Sequence, residues 1–240
     1  LIHRAFYAPS NMLLCVVGDV DPEEVVQIAQ KTLPEEKCPQ VHFCRQWQEE
    51  MTCIKPLTRT QMEVAMPTFQ LGFKCESPGQ GPESIRQELI GDLAAEALFG
   101  ESSPLYMALY EKGLIDNSFG GGFETIEGMA MLTASGDSDD PEAVRDAILE
   151  QARILAKEGI PEEDFRRIRH SAIGRRIRSL DSFDATCFRV CAYHFSGYDY
   201  FLFPELYRQV SGRDIKEFIA RVVTEERCSL SIIDPQEEAL

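Results

Sequence analysis

The chain marks its helix starts with proline. Asp21-Pro22-Glu23-Glu24, Ser103-Pro104, Asp140-Pro141-Glu142 and Pro161-Glu162-Glu163 each set a proline where a helix begins, three of them with acidic residues in the first turn. Proline at the first helical position sacrifices no hydrogen bond. A preceding Asp or Ser caps the free N–H groups, and early carboxylates suit the positive end of the helix dipole. These starts predict helices over 22–33, 104–112, 141–158 and 161–180, and apolar spacing adds 83–99, 184–196 and 212–222. Strand-like apolar runs lie at 12–17, at 61–75 with a break at Pro67, and at 115–123, 128–135 and 229–233. Strands precede, separate and follow pairs of helices, with no regular strand–helix alternation. That order argues against a doubly wound parallel sheet. It predicts an α+β fold, a mixed or antiparallel sheet with helices packed on one face. A turn at 125–128 makes the two middle strands a hairpin.

Between Pro34 and Arg59 the sequence is irregular and repeatedly broken by proline. The expected organisation is therefore 1–35 as the last strand and helix of a preceding domain, 36–59 as a linker, and 60–240 as a complete C-terminal domain. The opening Leu1-Ile2, without methionine, is read as part of something longer.

A net charge of −16 repels phosphate backbones and argues against a nucleic-acid partner. No apolar run reaches the ~18–20 residues of a membrane span. The eight cysteines include no C-x-x-C pair, which fits mostly free, buried thiols in a reducing cytoplasm.

Several patterns invite chemistry. The four histidines, at 3, 42, 170 and 194, stand far apart, so no pair one helical turn apart can present two imidazoles to one zinc ion. Cys187, Cys191 and His194 share a helix face and make a soft-metal set. Phe188 and Phe195 run along the same stripe, which favours buried cysteines in a core. Gly120-Gly121-Gly122 lies in a strand and not before a helix, so it marks a bulge or a close backbone approach such as a substrate strand, and not a phosphate loop. Arg166, Arg167, Arg169, His170, Arg175, Arg176 and Arg178 form a basic run on a helix whose buried stripe is expected at Phe165, Ile168, Ala172 and Ile177. They either bind an anionic partner or form a solvated face paired with surrounding acids.

The string Arg4-Ala5-Phe6-Tyr7-Ala8-Pro9-Ser10-Asn11-Met12, followed by Val16-Val17-Gly18-Asp19-Val20-Asp21-Pro22-Glu23-Glu24, resembles the pitrilysin/insulinase-type zinc metallopeptidases, which include mitochondrial processing peptidase. Ser103-Pro104-Leu105-Tyr106 through Leu109-Tyr110-Glu111-Lys112-Gly113-Leu114 resembles a later passage of that family, and Gly136-Asp137 with Asp140-Pro141-Glu142 a further corner. The likeness is to the C-terminal, non-zinc half, and within the family to the bacterial cytoplasmic type. It implies a peptide chamber closed by two halves, with zinc held by a His-x-x-Glu-His motif in the partner half and none in this one. The family's substrate-binding Arg falls here on Tyr110 and its Tyr near Asp116 or Ser118, so that pair is missing. The chain is then expected to shape the chamber wall and the interface with the zinc-bearing half. Tyr110, Phe119 and Phe123 are the candidates to face the peptide, and no catalytic residue is assigned. The alternatives are a non-enzymatic assembly subunit of the same fold, or a metal module built on Cys187, Cys191 and His194.

Overall fold

Burial alternates along strand β2 (Thr68–Cys75): Phe69, Leu71, Phe73 and Cys75 enter the core while Gln70 stays exposed. Such alternation belongs to a sheet covered on one face. A computed structural model describes residues 6–33, 50–79, 81–126 and 129–236. Among them β2 joins Leu57–Met62 (β1), Gly120–Ile126 (β3), Met129–Asp137 (β4) and Cys228–Pro235 (β5) in one mixed sheet of order β1-β5-β2-β4-β3. β1 runs parallel to β5, and every other neighbour is antiparallel. The register sets Leu71 between Ala134 and Leu230, and Phe73 between Leu132 and Cys228, all buried.

Eight α-helices are described: Pro22–Thr32 (α1), Pro82–Phe99 (α2), Pro104–Glu111 (α3), Pro141–Glu158 (α4), Glu162–Ser179 (α5), Phe183–Phe195 (α6), Phe203–Gln209 (α7) and Gly212–Val222 (α8). The predicted caps are present. Asp21, Ser103 and Asp140 accept the N–H groups of Glu23, Tyr106 and Ala143. α2 lies over β3, while α4 and α8 pack together over β2. Asp214 completes a capping box with Ser211 and also takes the Arg86 guanidinium at 2.7 Å, which ties α8 to α2. The α+β architecture is thus the one the helix and strand order predicts.

Local differences have physical causes. Residues 12–17 form no ladder among the described residues, because an apolar run becomes a strand only beside a backbone that offers it hydrogen bonds. Met12, Leu14 and Val16 are exposed, and Leu13, Cys15 and Val17 only half-buried. Strand β1 begins at Leu57, inside the stretch expected as linker, and the 61–75 run splits into β1 and β2 around Pro67. The third strand begins at Gly120, later than expected, since Asp116 instead accepts the Ser118 N–H in a turn. α7 escaped sequence reading altogether. The hairpin turn at 127–128 lies outside the described residues.

Candidate functional site

Strand β3 ends the sheet order, and beside it opens a cleft of about 780 Å³. Its walls come from α2, β3, α5, α6 and α7. Two glycines make this wall possible. A Cβ on Gly91 of α2 would lie 2.3 Å from the Phe123 ring, and one on Gly121 would lie 2.4 Å from the Phe99 ring and 2.5 Å from the Thr133 carbonyl oxygen. Helix and strand therefore approach more closely than any side chain at those positions would permit. Phe123 fills the space and meets Phe218 edge-on at 5.6 Å.

Glu88, Asp92 and Glu96 follow one another at four-residue spacing along α2, while Arg175, Arg176 and Arg189 approach from α5 and α6. Glu96 pairs with Arg175 at 2.9 Å. Asp92 has no ion pair among the described residues; its carboxylate is open to the cleft but ringed by protein. That desolvation, only partly offset by Arg176, pushes its carboxyl up to about 6. Burial also raises Glu88, against the hydrogen bond it accepts from the Thr125 hydroxyl.

Arg176 is buried, an exceptional place for a cation. It donates to the Tyr193 hydroxyl, and its guanidinium carbon lies 5.6, 6.0 and 5.7 Å from the ring centres of Tyr193, Phe203 and Tyr207. Burial works against its charge, but Tyr207, Tyr193 and Asp92 outweigh burial and leave its pKa above the ordinary value. Burial likewise raises the Tyr193 and Tyr207 phenols, so both remain neutral donors or acceptors. The ring of polarisable faces replaces a carboxylate partner for the cation.

The residues singled out in the sequence fall in different places. Phe119 and Phe123 line the cleft; Phe119 is buried, 6.2 Å from Phe99 and 6.0 Å from Tyr106. Tyr110 is exposed outside the cleft lining, stacked on Tyr106 at 6.0 Å. Asp116 and Ser118 sit together in the turn before β3, outside the lining.

On α5 the inner position belongs to Arg176, and Ile177, expected inside, is 54% exposed. Counting seven and then four residues on from Phe165 reaches Ala172 and Arg176, so helical period alone pointed there. Elsewhere in the basic run, Arg167 meets Asp164, Arg175 meets Glu96, and Arg169 lies over the Phe165 ring at 5.0 Å. Phe188 and Phe195 are 71% and 68% exposed, so the α6 stripe expected in the core faces outward.

The Cys187, Cys191 and His194 set makes no metal cage. His194 is exposed beside Phe195, and the Cys187 thiol donates to the Cys15 carbonyl at 3.8 Å. Among the described residues no three His, Cys, Asp or Glu side chains are grouped to hold a metal ion. Cys187, Cys191 and His194 are therefore not gathered as a zinc site, although two thiolates and an imidazole are donors that zinc accepts. No described helix is long and apolar enough to cross a membrane.

Comparison with known proteins gives a consistent answer. Residues 2–172 match the family model described as the peptidase M16 inactive domain. The chain is 29% identical, over 98% of its length and 55% of the other's, to the uncharacterized zinc protease YmfH of Bacillus subtilis strain 168. A crystal structure of an M16-like peptidase from Alicyclobacillus acidocaldarius superposes with a TM-score of 0.90 at 21% identity, covering 98% of this chain and 57% of that one. A protease from Helicobacter pylori gives 0.77 at 16%, covering 98% and 58%. The chain spans little more than half the length of these relatives.

Proposed function

The chain belongs to the peptidase M16 inactive-domain family, and from that premise we propose that it is the non-zinc portion of a zinc metalloendopeptidase. In this reading it forms one wall of a peptide chamber and the interface with a half that carries His-x-x-Glu-His and the zinc ion. The cleft beside β3 carries the proposal. It offers the edge of a strand that ends the sheet order, glycines at 120–122, and the rings of Phe119 and Phe123. An extended peptide can hydrogen-bond to such an edge through its main chain, which is how unrelated sequences are accepted with little side-chain preference. Tyr110, outside the cleft lining and stacked on Tyr106, would then sit at the rim of the chamber.

The partner half has a suitable landing surface. Met12, Leu14, Val16, Val26 and Ile28 are exposed on the N-terminal segment, as are Phe188 and Phe195 on α6. Apolar exposure on that scale marks an interaction surface. A cytoplasmic setting belongs to the same proposal and is supported by the six described cysteines all being free.

The test is hydrogen exchange with an unfolded eight-residue peptide in excess. Protection of the β3 amides and the cleft face of α5 is expected, and a peptide with alternate backbone nitrogens methylated should give none. Protection confined to α4 and α8, or equal protection by the methylated peptide, overturns the cleft as the peptide wall.

A further inference from the structure

We propose that Cys15 and Cys187 form a reversible disulfide that ties the segment before α1 to helix α6 when an oxidant is present. This inference is independent of the peptide-chamber reading. The two residues are 172 positions apart in the chain, yet the Cys187 thiol donates to the Cys15 carbonyl at 3.8 Å. Burial and the neighbouring Cys15 together raise the Cys187 thiol above its ordinary value. Both cysteines are free and half-buried, so solvent reaches them. Alternating burial along 12–17 turns Leu13, Cys15 and Val17 to the half-buried side. Disulfides join residues whose Cα atoms are ~4.4–6.8 Å apart. The Cys187 thiol already lies against the backbone of the residue it would join.

Three of the other four described cysteines are placed differently. Cys75 and Cys228 are buried, and burial pushes both thiols up to about 11, so they stay protonated in the core. Cys53 is occupied as a donor to the Arg227 carbonyl at 3.1 Å. Burial, Cys15 and Asp184 hold the Cys187 thiol above its ordinary value, which slows adventitious oxidation without preventing exchange.

A low-molecular-weight disulfide such as oxidised glutathione is the oxidant. One protein thiolate attacks it, forming a mixed disulfide and releasing one glutathione thiolate. The second protein thiolate then attacks the protein sulfur of that mixed disulfide and releases the other. Two electrons pass from the cysteine pair to oxidised glutathione, and the two thiol protons end on the two glutathione molecules. In a reducing compartment such a bond is transient and reports the thiol state of its surroundings. It would fasten a segment that has no ladder of its own among the described residues.

The experiment incubates the protein with oxidised glutathione, alkylates the remaining thiols, and digests it without reductant. Mass spectrometry is expected to find one linked peptide pair containing Cys15 and Cys187. Free thiols counted after denaturation should fall from eight to six and recover with dithiothreitol. Cys187→Ser should leave Cys15 as a glutathione adduct with no internal link, whereas Cys191→Ser should leave the link unchanged. Linked peptides joining other cysteines would overturn the proposal. So would recovery of Cys15 and Cys187 fully alkylated under conditions that oxidise a control dithiol.

Discussion

Arg176 of α5 donates a hydrogen bond to the Tyr193 hydroxyl of α6, inside a cage that Phe203 and Tyr207 of α7 complete. One cation thus joins three helices at the floor of the cleft. Removing it leaves the Tyr193 hydroxyl unsatisfied and an empty space among the rings. Arg176→Ala is expected to lower stability by about 2–4 kcal/mol in urea titration. Arg176→Lys should recover less than half of that loss, because an ammonium cannot lie flat against several ring faces.

Two helical glycines should respond in opposite directions to alanine. At Gly91 the new Cβ meets the Phe123 ring at 2.3 Å, so the gain in helix propensity is overwhelmed and Gly91→Ala should cost about 1–3 kcal/mol. At Gly174 nothing lies within 4 Å of the new atom, and Gly174→Ala should stabilise by about 0.5–1 kcal/mol. Thermal unfolding of both variants checks the pair.

Asp92 sets a pH dependence of known sign. Its carboxyl is raised from 3.8 to about 6 in the folded protein, so between those values the folded state binds more protons than the unfolded one. Stability contributed at this position therefore falls as pH rises through that window. Asp92→Asn should match the parent below pH ~4 and exceed it in urea midpoint above pH ~6, with the difference opening between.

The exposed rings of α6 separate folding from assembly. Phe188→Ser and Phe195→Ser should change stability by no more than about 0.5 kcal/mol, since neither side chain is buried. Together they should weaken association with the zinc-bearing half at least tenfold, measured by co-purification and by light scattering.

Elements governed by local chemistry were legible in the sequence. Proline at the helix start announced α1, α3, α4 and α5, and apolar runs announced most of β2 and β4. Features decided by distant partners were not legible. Arg176 is inside only because α6 and α7 bring aromatic faces to it, and α7 itself is too short to show a period. Phe188 and Phe195 have the spacing of a core stripe, but the helix turns that stripe outward, a fact no single-helix pattern contains. Residues 12–17 have strand composition without a neighbouring strand among the described residues. The cleft was half legible: Gly120-Gly121-Gly122, Phe119 and Phe123 were singled out, while the acidic stripe of α2 was passed over because its faces become distinct only against β3 and α5.

The most direct measurement is hydrolysis of an unfolded peptide by the purified chain, alone and then mixed with the zinc-bearing half, with bound zinc quantified in each sample. The chain alone should hold no stoichiometric zinc and cleave nothing. The mixture should cleave, and a chelator should abolish the activity. Chelator-sensitive hydrolysis by the chain alone would contradict its assignment as the non-zinc portion.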